Sequence, residues 1–359
     1  MTEKLIIESH PVSIRNPKSK FETILMNPKT LSIEQLAGQR LMVGFEGKRF
    51  NANLHFLIRD LNIGAIILFS QNTETPSQVK KLCESVQECA RVNGQPPLMI
   101  AIDQEGGQVA RLKEPFTQFP GNASMKGVED AICFAETAAA ELVQAGINMN
   151  LAPVMDVAPR EINSVMAGRS FGHDPAWVSE LGVAVISHLQ KNNIMAVAKH
   201  FPGIGRTVSD SHLDLPTFEG DLAELESCDL VPFEACVECG VAGIMLSHII
   251  YKKIDPQWPA SLSQRVALKL LRERMQFSGL TLTDDLDMGA INKHYDIKTA
   301  IRQILLADID MTLICHKGPN IETAYKEILR NLKDSPQLMA SAIESAQRIM
   351  NLKRKYIGT

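Results

Sequence analysis

No stretch of the chain approaches the roughly 18 consecutive apolar residues that a membrane span needs. The first twenty residues, MTEKLIIESHPVSIRNPKSK, carry acidic side chains and no apolar core of the kind a secretory signal has. Those two absences set the expectation of a soluble, cytoplasmic chain. Basic charge is not in excess either: 37 Lys and Arg stand against 41 Asp and Glu, a net charge of −4, and no basic run is interleaved with aromatics. Neither a nucleic-acid partner nor an anionic membrane surface is expected. Pro and Gly are not enriched, which argues against a low-complexity chain.

The seven cysteines, at 83, 89, 133, 228, 236, 239 and 315, are odd in number and irregular in spacing. That argues against a disulfide framework and for a reducing compartment. Cys236 and Cys239 form one C-x-x-C inside the apolar helical pattern of residues 233–240. No second pair completes a zinc site, so they read as helix residues without a redox role.

What the chain does have is enough apolar material for a large core: 359 residues, 45% hydrophobic and 22% charged. Residues 1–33 are polar and aperiodic and read as an N-terminal extension. From 34 to 359, short β-branched runs alternate with amphipathic stretches. The candidate strands are 41–45, 64–69, 98–103, 148–156, 196–200, 243–248, 280–284 and 311–316. The candidate helices between them are 77–93, 129–145, 177–192, 222–239, 263–275 and 297–307, and 321–355 reads as two closing helices. Near-continuous apolar strands such as Ala65-Ile-Ile-Leu-Phe69 fit a parallel sheet covered on both faces. Eight strands with helical connections predict an α/β fold, a single (β/α)8 TIM barrel, with a doubly wound open sheet as the structural alternative.

The polar residues are the most informative feature. Six of the eight apolar strands end in a titratable residue: Asp103, Asp156, Lys199 with His200, His248, Asp284 and His316. Asp often caps a following helix, but capping alone does not account for six endings. In a barrel these positions converge on the mouth that builds active sites. Cleaving a glycoside with retention needs an ionised carboxylate to attack the anomeric carbon and an acid to protonate the leaving oxygen. Asp284, at a strand end, fits the first requirement. Asp285, one residue on, faces differently and reads as a cap or brace for the next segment. The loop after the fifth strand, 199–216, contains Asp210 and His212, two apart. A carboxylate on one imidazole nitrogen fixes the tautomer and leaves the other nitrogen for substrate. An Asx-type turn with His212 on the surface is the competing reading of the same residues.

The stretches IDQEGG (102–107), NLAPVMDV (150–157), GRSFGHDP (168–175), KHFPGIG followed by DSHLDLP (199–216), IMLSHIIY (244–251) and TDDLDM (283–288) resemble family 3 glycoside hydrolases. More narrowly, they are similar to the single-domain bacterial beta-N-acetylglucosaminidases of cell-wall recycling, from about residue 33 to about 317. The resemblance implies that Asp284 is the nucleophile, His212 the general acid/base and Asp210 its partner. It implies that Asp103, Arg111, Arg169, Lys199 and His200 bind the terminal N-acetylglucosamine (GlcNAc). No metal or organic cofactor is implied. The implied substrate is a GlcNAc–anhydro-muramyl peptide, handled by a monomer. Other readings of single residues stay open: a helix-surface charge for Arg111, a loop ion pair for Arg169, and for Asp156 and His248 a supporting role that orients Lys199 and His200. Ile204 stands where the family usually has a second His, and Gln108 where Arg is common, so loop order or a sugar contact there is expected to differ. A beta-glucosidase or xylosidase, a sugar-binding barrel without turnover and a phosphorylase variant are the rival functions.

Overall fold

The computed structural model describes residues 27–207, 211, 214–316 and 318–358. Eight parallel strands close into a barrel: β1 (Leu41–Val43), β2 (Ala65–Leu68), β3 (Met99–Ile102), β4 (Met149–Asn150), β5 (Met195–Phe201), β6 (Gly243–Leu246), β7 (Leu280–Asp285) and β8 (Met311–Ile314). Each strand pairs with its neighbour in sequence, and β1 closes the ring against β8 with Leu41 opposite Thr312. The chain is thus the single (β/α)8 barrel its pattern predicts. Among the described residues, no helix is long and apolar enough to cross a membrane.

The repeating unit is built by local rules. Helices start on side-chain caps: Thr75 accepts from the Gln78 amide, Asp174 from Ala176 and Asp296 from Thr299, with Pro76 and Pro175 in the first turn of their helices. Seven strands, β2 to β8, are each preceded by a residue with positive φ, namely Asn62, Gly94, Gly146, Asn193, Gly240, Gln276 and Asp308. At several of these turns the next amide reaches back five residues, as Ile147 does to Leu142, Ile194 to Leu189, Val241 to Cys236 and Ile309 to Ile304. That bond satisfies a terminal helix carbonyl and drops an apolar residue into the core just before the strand begins.

Two of the candidate runs are interrupted, both at proline, and the helix Ala52–Arg59 between β1 and β2 is not among the candidates. The 148–156 run pairs regularly only over Met149–Asn150, and beyond it Val154 makes a single bridge to Lys199. Pro153 has no amide to give the ladder, so Asp156 stands beyond the strand rather than at its end. The 222–239 run splits into Leu222–Ser227 and Val231–Glu238, where Pro232 occupies the first turn of the second helix. The two closing helices are Pro319–Asp334 and Pro336–Tyr356. All seven cysteines are free; Cys236 is buried in its helix and the Cys239 thiol donates to the Cys236 carbonyl.

At the end of the barrel opposite the mouth, buried charges tie the last helix to the strands. Asp310 is fully buried and accepts from Arg272 and Arg348. Lys353, also fully buried, donates to the Gln39 side-chain oxygen at 2.6 Å and the Gly64 carbonyl at 2.9 Å. Burial pulls its amine down to about 7. A neutral amine has two protons to donate, and it finds two acceptors.

The unfolded chain keeps this lysine near its ordinary value of about 10.4. Between pH 7 and about 10 the unfolded state therefore binds the extra proton, and stability rises with pH across that window. Lys353→Met removes this contribution. Thermal midpoints measured from pH 6 to 10 are expected to climb more steeply in the parent than in the variant; parallel curves would show that the amine is not deprotonated in the fold.

Candidate active site

The strand ends converge on a cavity of ≈ 380 Å³ at the barrel mouth, lined among others by Asp103, Arg111, Arg169, Lys199, His200 and Asp284. Its size suits one small ligand. A regular strand sends adjacent residues to opposite faces, yet Lys199 and His200 both line this cavity. The register explains it: Lys199 pairs with Met245 but Phe201 with Leu246, so His200 is one extra residue in β5. On β7, Leu282 pairs with Met311 and Asp285 with Leu313, again one residue in excess, and Asp284 and Asp285 both reach the cavity. Bulges of this kind re-aim side chains without leaving the sheet.

The centre of the site is a buried charge network. The Lys199 ammonium lies 2.7 Å from Asp103 Oδ1 and 2.6 Å from Glu105 Oε1. Arg169 holds Glu105 with two bonds, Nε to Oε2 at 3.0 Å and Nη2 to Oε1 at 2.7 Å. Arg111 reaches Asp103 Oδ2 at 3.3 Å and lies over the Phe69 ring. Burial opposes ionisation of Asp103, but Lys199 and Arg111 outweigh it and hold the carboxyl at about 2. Glu105 is likewise held below its ordinary range by Lys199 and Arg169 against burial, and Lys199 is held above its own by the two acids.

His200 is set by Asp156: Nδ1 lies 2.8 Å from Oδ2, which leaves Nε2 as the nitrogen available to the cavity. The other Asp156 oxygen accepts the amide of Ile204 at 2.8 Å. The Ile204 side chain is buried in the core. The turn is thus tied to Asp156 through the backbone amide of residue 204 and not through its side chain. Gln108 is exposed and packs across Gly168.

Asp284 stands among these groups. Burial would raise its pKa, but the imidazoles of His248 and His200, the Asp285 amide and Lys199 together hold the carboxyl below the ordinary aspartate range. Its Oδ1 accepts the Asp285 amide at 2.8 Å. Asp285 is a brace, accepting through Oδ1 from the amides of Asp287 and Cys315, and burial lifts its carboxyl to about 6. His316 lies at the rim, three-quarters exposed, with Nδ1 3.6 Å from both Asp285 and Asp287.

The sequence-derived residues Asp103, Arg111, Arg169, Lys199, His200 and Asp284 therefore come together in one cavity. Arg111 is on no helix. Arg169 is indeed an ion pair of a loop, and it also faces the cavity. Asp156 orients His200 as expected. His248 does something else: its bonds run to Ser261 and to the backbone of Asp285, on the Asp284 side of the mouth rather than the Lys199 side. Asp210 and His212 lie outside the described residues. Glu105 was missed as an individual residue, although it lies two positions after Asp103 in an extended segment, where i and i+2 share a face.

Three comparisons place the chain among known proteins. Residues 31–352 match the model for the glycosyl hydrolase family 3 N-terminal domain. A beta-hexosaminidase from Methylobacillus flagellatus is 36% identical over 310 residues, covering 84% of each chain. A family 3 beta-N-acetylglucosaminidase from Paenibacillus sp. str. FPU-7 superposes with a TM-score of 0.87 at 33% identity, covering 91% of this chain but 63% of that one, so this chain spans less than two thirds of its length. NagZ from Neisseria gonorrhoeae, solved with N-trifluoroacetyl-D-glucosamine, superposes with a TM-score of 0.69 at 27% identity, covering 86% and 97%.

Removing Glu105 leaves Lys199 and Arg169 buried with one fewer counter-charge. Glu105→Ala is expected to cost about 3 kcal/mol or more in denaturant unfolding at pH 7. The folded pKa values of Asp103 and Glu105 are depressed. Their contribution is complete above the ordinary carboxylate range and fades as pH falls through the lowered values, about 2 for Asp103. A cost under about 1 kcal/mol would mean the network does not bear on the fold.

Proposed function

The chain belongs to glycosyl hydrolase family 3, and from that premise we propose that it is a retaining exo-beta-N-acetylhexosaminidase that removes terminal GlcNAc from peptidoglycan-derived fragments. The observation that carries the reading is Asp284: a carboxylate kept ionised at the barrel mouth, facing a cavity whose other wall is a fixed set of cations and acids. Asp103 offers acceptors to sugar hydroxyls, while Arg111, Arg169, Lys199 and His200 offer donors. Each of these groups is already held, Asp103 by Lys199 and Arg111, Arg169 by Glu105 and His200 by Asp156, so a sugar enters a site whose polar groups need little reorganisation.

In the first step an Asp284 oxygen forms a bond to C1 while the bond from C1 to the leaving oxygen breaks, and His212 gives its proton to that oxygen. In the second, a water oxygen bonds to C1 as the Asp284 ester breaks. His212 takes the water proton, and the free sugar leaves with its original configuration. Asp210 is assigned as the partner that sets the His212 tautomer. Neighbours in the chain support these two assignments. The Ser211 carbonyl accepts the Ala290 amide at 3.1 Å, next to Met288 and Gly289 of the cavity wall, and Asp214 meets His294 Nε2 at 2.7 Å. The bound N-trifluoroacetyl-D-glucosamine of the Neisseria relative supports an N-acylglucosamine as the sugar recognised. The GlcNAc–anhydro-muramyl peptide as full substrate, the cytoplasmic location and the monomer rest on the family resemblance of the motifs.

Asp284→Ala is expected to abolish turnover of an aryl beta-GlcNAc substrate, and undiminished turnover would remove the nucleophile assignment. His212→Ala is expected to lose about 10²–10⁴-fold on a disaccharide and much less on an activated aryl leaving group; equal losses on both would count against an acid/base role. Incubation with purified muropeptides, read by mass, is expected to show loss of one N-acetylhexosamine. Preferential hydrolysis of an aryl beta-glucoside, or rates that depend on added phosphate, would redirect the assignment.

A further inference from the structure

We propose that His248 is a positioning residue of the reaction, aiming the Asp284 carboxylate through the backbone of Asp285. The inference rests on Asp284 being the nucleophile.

His248 is 1% exposed and lies just beyond β6, the strand beside β7. Its Nε2 is 2.9 Å from the Asp285 carbonyl and its Nδ1 is 2.7 Å from Ser261 Oγ. A carbonyl only accepts, so Nε2 carries the proton whatever the charge on the ring. With a neutral ring, Nδ1 is bare and the Ser261 hydroxyl donates to it. Ser261 is itself fixed, since its amide donates to the Ser247 carbonyl at 3.0 Å. The ring is thus held at both nitrogens between two anchored elements.

What it holds is the hinge of the nucleophile. Among the described residues, no side chain hydrogen-bonds to the Asp284 carboxylate. The bond the carboxylate makes is from the Asp285 amide to Oδ1 at 2.8 Å. The direction of that amide is set by the Asp285 backbone. This backbone sits at the β7 bulge, where the ladder to β8 has lost its regular register. Past the bulge the Leu286 amide donates to the Leu313 carbonyl of β8 at 3.0 Å, and His248 holds the Asp285 carbonyl from the opposite neighbour. The Asp285 side chain holds the same residue to the β8 side through the Cys315 amide at 2.9 Å. With Oδ1 tied, Oδ2 is the oxygen free to meet C1. Attack needs the reacting atoms aligned at about 3–3.5 Å, and a displacement near 1 Å costs on the order of 10²-fold. The sugar-holding residues Asp103, Lys199, Arg169 and His200 hang on other elements, so aim and binding are separable.

The test compares His248→Leu, His248→Gln and Ser261→Ala with the parent on an aryl beta-GlcNAc substrate, with thermal melts to confirm folding. His248→Leu is expected to lose about 10- to 100-fold in kcat. KM and the inhibition constant for free GlcNAc should stay within about threefold. His248→Gln, whose amide N–H reaches a carbonyl, is expected to recover most of the loss, and Ser261→Ala to lose less than Leu. If folded His248→Leu keeps kcat within threefold, or loses GlcNAc binding in step with kcat, or gains nothing when Leu is replaced by Gln, the inference fails. Asp284→Ala separates this from failure of the nucleophile reading: an inactive Asp284→Ala beside an unimpaired His248→Leu overturns only the positioning role.

Discussion

One ammonium group organises the mouth of this barrel. Lys199 is almost completely buried, and an unpaired charge there would not be tolerated. It is held by Asp103 and Glu105 at once, each of which takes an arginine of its own. Two carboxylates therefore face three cations in a space closed by apolar strands. Removing any one strands another. The arrangement ties the loop that carries Arg169 to the segment after β3 that carries Asp103 and Glu105, so this wall of the cavity is held by its own charges. Burial would raise the Asp284 carboxyl, and Lys199 adds a smaller share to the imidazoles of His248 and His200 and the Asp285 amide that hold it below the ordinary range.

The second constraint is geometric. A closed parallel barrel with strict alternation gives each strand end one inward side chain. This site takes two from β5 and two from β7, by the same device of one extra residue. The cost of a bulge is a local loss of ladder bonds, and the side chains around it restore them. Asp156 collects the amides of His200 and Ile204 after the β5 bulge, and His248 and Asp285 collect the backbone after the β7 bulge. The supporting residues are thus as much a consequence of the bulges as of the chemistry.

The eight strands, their order and the convergence of their polar ends were legible in the sequence, because apolar period, helix caps and turn residues act locally. Asp103, Lys199, His200 and Asp284 were legible for the same reason: each ends an apolar run. The bulges were not, since an extra residue in an apolar strand leaves the pattern unchanged. Without them the partner of His248 could not be assigned, and Asp156 was read at a strand end although Pro153 stops the ladder before it. Glu105 was hidden by lying in a glycine-rich segment with no periodicity of its own. Ile204 pointed to an altered loop order or sugar contact at the level of side chains. The amide of the same residue does the work, which no reading of side-chain types reveals.

In the proposed reaction Asp284 supplies the oxygen of a covalent sugar–enzyme bond. The most direct test is to slow the second step, with an aryl beta-GlcNAc analogue carrying fluorine at C5, and to map the trapped adduct by peptide mass. The expected result is one sugar residue attached to the peptide that contains Asp284, at that side chain. An adduct on any other residue, or no adduct together with release of the alpha anomer, would contradict it.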